Sequence, residues 1–587
     1  MRYLSILILL IAAPAMAIDV SSLRPLPVLD KGRVKPFDTL AQETSSYVTG
    51  YRKFGVVTEN EDGEQAITQP MDPVALMMDW AANPNVWQKR PLLYVPLLDL
   101  RAKLHMKESE KWISPRQLMD DTKFTASERK LEQARMTAEQ NQETIFYTDQ
   151  KQKRLDDASV ELAGRLRMFE AAADLSIYSV LPDGRKSQNW LALPLLLSLT
   201  DPADAEKAQP IKTAWTGMLE AYKADNTAAF STAAGQFMDS FRNLAGDDYV
   251  NVSRINREVL YNQFKPFRWA WIFYFVTLIA LVAALMTTKR AAYWLAMGLF
   301  ALAIGFHGTA FAMRCSITGW APVTNMYETV IWVAMMSAIF SYILELVYRR
   351  RVIAIGGATV AMLAAIVADN MPAEWGNSIR NLTPVLRSNY WLTIHVLTIV
   401  SSYAAFALAL VLGNIVLGQY IYGKAKRESI NTNLLFTYRA VQIGVLLVAA
   451  GTILGGLWAD VSWGRFWGWD PKEVWALIVL LTYLALLHGR YAGWIKQFGM
   501  AAGAVFCFTA VLMSWYGVNF VLGAGLHSYG FNTGGQGYVY TFVLIQWTYV
   551  LIAWIVHRSR LSANLVKSAA AANSATDLPR DGKVIAG

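Results

Sequence analysis

The chain has 587 residues, of which 54% are hydrophobic, and a mean hydropathy of +0.25; this argues against an ordinary soluble protein of that size. A formal net charge of +9 would suit a nucleic-acid partner, but the basic residues of the second half stand in short loops between apolar stretches, where they set membrane orientation instead. Two cysteines, Cys315 and Cys507, lie far apart and outside any CxxC, which argues against a metal–thiolate site or a redox pair within the chain; buried free thiols are expected.

In chain order, MRYLSILILLIAAPAMA has a basic start, an apolar core and Ala-Met-Ala before Ile18, the pattern of an export signal peptide over residues 1–17. Residues 18–265 contain no stretch long and apolar enough to span a bilayer. They are expected to form a mostly helical periplasmic domain, with charged amphipathic helices over 115–172. No phosphate loop, metal-ligand spacing or nucleophile motif stands there, and no role is assigned. His105, set among Lys and Glu, is expected at the surface, as are Lys31, Arg33 and Lys35 of LPVLDKGRVKPFDTLAQE.

Residues 266–557 carry about nine apolar stretches: roughly 268–287, 292–312, 326–347, 352–369, 394–421, 438–459, 473–489, 498–518 and 539–556. The predicted fold is therefore mainly α, a polytopic helical membrane protein behind an N-terminal domain. The loops test the count. Lys289 and Arg290 follow the first span, Arg349 to Arg351 the third, Lys424, Lys426 and Arg427 the fifth, Arg490 and Lys496 the seventh, Arg558 and Arg560 the ninth. Every second loop is basic, which places those loops in the cytoplasm and the N-terminal domain outside the inner membrane. The tail, 558–587, is rich in Ala and Ser and is expected to be cytoplasmic and disordered.

Between spans six and seven, on the outer side, stands WGRFWGWDPKEVWAL. One or two tryptophans would suit an interfacial belt. Trp463, Phe466, Trp467, Trp469 and Trp475 within thirteen residues suit a binding shelf better. Gly464 and Gly468 let a flat object approach the backbone, while Asp470 and Pro471 are placed to cap and start the next helix. Of six histidines, His395 opens span five and His527 follows span eight, both on the shelf's side. Two neutral imidazoles across a flat apolar surface are what a haem iron needs for axial ligation. His307 and His488 lie within spans two and seven, where an ionisable residue is a functional candidate by default. His557 ends the last span beside Arg558.

WGRFWGWDPKE at 463–473 resembles the WWD signature of haem-handling proteins. With RCSITGWAPVTNMYETVIW, WLTIHVLTIVSSYAAF, WDPKEVWALIVLLTYLALLHGR and NFVLGAGLHSYGF, the stretch from about 290 to 557 resembles the CcsA (ResC) family of System II cytochrome c synthases. The resemblance implies export of haem b across the inner membrane and its presentation at the WWD platform, where it is joined through thioether bonds to the CxxCH motif of an apocytochrome c. It implies His395 and His527 as outer axial ligands, with Asp470 grouped beside them as catalytic, and His488 as ligand of an intramembrane haem. A second intramembrane ligand would come from a CcsB (ResB) partner or from His307; the differing depths of His307 and His488 favour the partner. The other readings are a haem carrier without synthase activity and a permease for another flat amphipathic solute.

Overall fold

The computed structural model describes residues 18–60, 64–141, 149–182, 190–199, 202–246, 250–287, 289–370, 379, 382, 388–522, 525–527 and 535–576. The expected signal peptide, 1–17, lies outside them. The chain divides into two compact units between Phe264 and Lys265.

Among the described residues, the N-terminal unit sets four antiparallel two-stranded sheets among helices. The first hairpin pairs Pro27–Asp30 with Arg33–Pro36 and turns at Lys31 and Gly32, with φ of 50° and 73°. Two consecutive positive φ values match the right-handed strand twist, so the tight turn closes without splaying the strands. The core gathers Phe37, Trp80, Trp87, Phe169, Phe230 and Phe237. His105 is exposed, as expected. Arg33 and Lys35 are not: their exposures are 7% and 4%. Two residues apart on a strand, they share one face, and that face is covered. Arg33 donates to both Glu258 carboxylate oxygens at 2.7 and 2.8 Å, and Thr39 adds a third bond at 2.8 Å. Lys35 pairs with Asp30 at 2.7 Å and with Glu43. Such pairing makes burial of the charge tolerable.

Among the described residues of the chain, nine helices are long and apolar enough to cross a membrane, and the protein is a multi-pass membrane protein. The fifth, Asn389–Tyr422, is the most buried, packed by the third (Met326–Tyr348), the sixth (Arg427–Trp463) and the eighth (Gln497–Leu522). Its small residues Ala404, Ala405, Ala407, Ala409 and Gly413 explain the close packing. A Cβ at Gly413 would stand 3.0 Å from the Ala501 carbonyl. A second cluster, including Ala270, Tyr274, Phe300, Ala354 and Ala358, joins the first, second and fourth spans. His557 packs against the rings of Tyr420 and Phe498. Both cysteines are free and partly buried.

Two departures from regular α-helix stand out. Leu392–Val396, which contains His395, is π-helical, and so is Met513–Leu522 at the end of the eighth span. Single π turns recur at functional sites because they rotate the following side chains out of register. Of the tail expected to be disordered, the described part is helical: the last helix runs from Gln536 to Thr576, and 577–587 lie outside the described residues. Its Ala-rich sequence has strong intrinsic helix propensity, which carries the helix past the apolar stretch.

Candidate functional site

The sixth span stops at Trp463 because Gly464 adopts φ 68°, the left-handed C-cap conformation. The seventh, Pro471–Tyr491, starts on a capping box. Asp470 accepts from the Lys472 N–H at 3.0 Å, and Glu473 accepts from the Asp470 N–H at 3.1 Å. Glu473 also takes the Gly468 N–H at 2.8 Å and pairs with Arg465 at 3.1 Å. The aromatic loop is thus tied to a helix start by one carboxylate. Trp469 sits at φ 58° within this turn and is 70% exposed.

Asp470 does more than cap. Its Oδ2 accepts from the Nδ1–H of His527 at 2.8 Å, and its Oδ1 accepts from the Leu526 N–H at 2.6 Å. Gly525 makes this approach possible: at φ 94°, a Cβ there would lie 2.2 Å from Asp470 Oδ1. Burial pushes the Asp470 carboxyl up, but the bonds from the Lys472 N–H and His527 outweigh it and hold the group below its usual value. Burial also lowers the His527 imidazole, and Asp470 recovers only part of that shift. At neutral pH the pair is a carboxylate and a neutral imidazole with its proton on Nδ1, so the lone pair is on Nε2.

His395 arrives from the fifth span. Its Nδ1 bonds the Gly451 carbonyl at 2.8 Å, selecting the same tautomer, and Trp458 stands edge-on at 5.7 Å. Glycines on the sixth span make the room: a Cβ at Gly455 would be 2.7 Å from the His395 ring, and one at Gly456 2.6 Å from Phe466.

His395 and His527 line one cavity of about 1320 Å³, including its mouth. Its walls are mainly apolar. Trp463 meets His527 edge-on at 5.0 Å, and Trp467, Trp458 and Trp515 add flat surface. Both π-helical stretches face it, through Leu392, His395 and Val396 from one and Ser514, Trp515 and Asn519 from the other. The loop Val323 to Met326 forms a further wall. It is held by Glu328, which accepts the Thr324 N–H at 2.6 Å and pairs with buried Arg314, and by Asn325, which caps the third span.

The sequence-predicted residues divide. His395, His527, Trp463 and Trp467 line the cavity, and Asp470 stands behind His527. Phe466, Trp469 and Trp475 do not line it: Phe466 lies over Gly456, Trp469 points outward with its edge to Trp467 at 5.9 Å, and Trp475 is half-buried on the seventh span. His488 is exposed on that span, its Nδ1 bonded to the Leu484 carbonyl of its own helix at 2.8 Å. His307 belongs to a different place. It is fully buried, bonded to the Tyr274 hydroxyl at 3.1 Å, stacked on Phe311 and met edge-on by Phe267. Sequence reasoning missed Lys472, Trp458, Trp515 and Met326, all in the wall. Lys472 was within reach, since it stands inside the quoted DPKE; Trp515 needed the π-helical register.

Residues 323–527 match the family described as "Cytochrome C assembly protein". Those limits are also the first and last of the described residues in the cavity wall. The chain is 34% identical to the cytochrome c biogenesis protein CcsA of Prochlorococcus marinus (strain MIT 9301) over 249 residues, 38% of this chain and 80% of that protein. It is 32% identical to CcsA of Chlorella vulgaris over 256 residues, 37% of this chain and 80% of that protein. Protein NrfI of Wolinella succinogenes is 26% identical over 521 residues, 85% of this chain; the match spans only 53% of NrfI, about half its length.

Proposed function

The chain belongs to the CcsA family of cytochrome c biogenesis proteins, and from that premise we propose that it carries haem b outward across the inner membrane and presents it in the cavity between His395 and His527. There the haem is joined to the CxxCH motif of an apocytochrome c on the periplasmic side. One observation carries this reading: two imidazoles, each with Nδ1 bonded to a protein oxygen, line the same aromatic cavity. That tautomer puts the lone pair on Nε2, the form in which histidine would ligate haem iron.

The chemistry asks little of the chain in covalent terms. Each substrate thiol adds across a haem vinyl group: sulfur bonds the carbon next to the ring, and the proton goes to the outer carbon. The chain contributes orientation, holding the planar substrate against Trp463 and Trp467 and so converting a bimolecular encounter into a positioned one. Asp470 acts through His527, fixing its tautomer and raising its basicity as a ligand. A haem lyase of this kind needs no cysteine of its own, which agrees with two partly buried thiols outside the cavity wall.

His488 is the residue we assign to an intramembrane haem on the entry route. Its exposed position, with Nδ1 bonded only along its own helix, suits completion by a histidine of a CcsB (ResB) subunit. His307, enclosed by Tyr274, Phe267 and Phe311, is ill placed to supply that second ligand.

The test is co-expression of the full chain with a CcsB-type partner and a CxxCH apocytochrome. A bis-imidazole absorption spectrum on the purified complex and a haem-stained apocytochrome band in a denaturing gel are expected. A haem-loaded complex with no covalently modified substrate would reduce the reading to a haem carrier. A complex without haem from haem-replete cells would overturn it.

A further inference from the structure

The cavity wall carries one lysine and no arginine among its described residues: Lys472, at the start of the seventh span. Its ammonium has three donors. Among the described residues it finds one hydrogen-bond acceptor, the Trp515 carbonyl at 3.5 Å, and no carboxylate within ion-pair distance. The two neighbouring carboxylates are occupied elsewhere. Asp470 holds His527 and the N–H groups of Leu526 and Lys472, while Glu473 holds Arg465 and the N–H groups of Gly468 and Asp470. Asp470 is close enough to act on the ammonium without pairing with it, and a cation at a mainly apolar cavity with no paired carboxylate is costly unless an occupant provides one.

We propose that Lys472 is a positioning residue that pairs with a carboxylate of the bound porphyrin and so decides which edge of the ring enters beside it. This rests on the haem reading above and deepens it. In protoporphyrin IX the two propionates occupy one edge and the vinyl groups sit on the two remaining pyrroles. Anchoring the carboxylate edge at Lys472 turns the vinyl edge away from it, toward the side an incoming thiol must reach. Two imidazoles on the ring axis cannot set this, because axial ligation leaves rotation in the ring plane open. A charge at the periphery removes that freedom.

The experiment compares two probes on the purified full chain: ferric protoporphyrin IX and its dimethyl ester, which keeps the iron and vinyls and lacks both carboxylates. Wild type is expected to bind the acid about ten- to a hundredfold more tightly than the ester, the range for a charge-assisted bond. Lys472→Gln should lower that ratio to near one while leaving ester affinity and the bis-imidazole bands in place. Lys472→Arg should keep most of the preference. Equal binding of acid and ester by wild type, or an unchanged ratio in Lys472→Gln, would overturn the assignment. If Lys472→Gln binds neither probe, Lys472→Arg decides: retention of the ratio supports the role and its loss overturns it. Failure of wild type to show bis-imidazole bands with either porphyrin would strike the haem reading itself, so the two failures are distinguishable.

Discussion

His527 and His307 make an instructive pair. Each bonds an oxygen through Nδ1, to Asp470 at 2.8 Å in one case and to Tyr274 at 3.1 Å in the other. Around His307 the rings of Phe311, Phe267 and Tyr274 close in, and the side chain is fully buried. Around His527, Trp463 stands edge-on, and the ring lines a cavity. The same residue type, similarly bonded, is enclosed by aromatic rings in one region and lines a cavity in the other. What separates them is what the rest of the ring faces.

The largest expected effect breaks the His395–His527 site and spares the surroundings of His307. His395→Ala with His527→Ala should abolish the bis-imidazole spectrum of the outer haem and lower covalent maturation by about a hundredfold or more, as losing both axial ligands demands. Retained spectra and full maturation in the double variant would refute the ligand assignment. Next, Asp470→Asn should weaken haem binding at neutral pH by roughly ten- to a hundredfold, the usual range for a residue that orients a ligand. Part of any stability loss will come from the helix start, since Asp470 is also the N-cap; thermal unfolding of the haem-free protein measures that share.

Acid titration sharpens the contrast. A protonated imidazole cannot ligate, and the His527 value lies below the ordinary 6.5, so ligation should persist through neutral pH and fail only as pH drops through that lowered value. Asp470 lies below its ordinary 3.8, so it stays charged while His527 titrates. Removing that charge in Asp470→Asn takes away the influence that raises His527, so the imidazole of the haem-free protein should titrate at still lower pH, while haem affinity at neutral pH falls. An NMR pH titration of both haem-free proteins and haem binding at neutral pH check the two. The smallest effect belongs to His307→Leu. It should leave the haem bands and maturation unchanged and lower stability by roughly 0.6–1 kcal/mol, the scale of one hydrogen bond between spans. Loss of a haem band in that variant would return His307 to the list of ligands.

Several readings from sequence rested on strong physical constraints. A bilayer demands helical stretches of set length, so the spans could be counted from the apolar stretches and the count tested against Lys and Arg in the loops. The capped helix start at Asp470–Pro471 was equally legible, because capping is local. The other role of Asp470, its grip on His527 from 57 residues away, was not legible in detail, because Gly525 and the approach of that loop are long-range features. Arg33 and Lys35 misled for the same reason. A charged strand residue looks solvated until Glu258 and Glu43 arrive to cover it.

By itself the sequence determined the class of the molecule, the membrane-spanning segments, and the clustering of indoles and imidazoles along the chain, since each depends on residue type and short spacing. Only the tertiary structure decided which of those rings share a cavity. It turned Trp463 and Trp467 inward and Trp469 outward, brought Lys472 into the wall, and enclosed His307 among phenylalanines. Those choices follow from helix packing and two π-helical register shifts, and contacts of that range leave no mark on any short stretch of sequence.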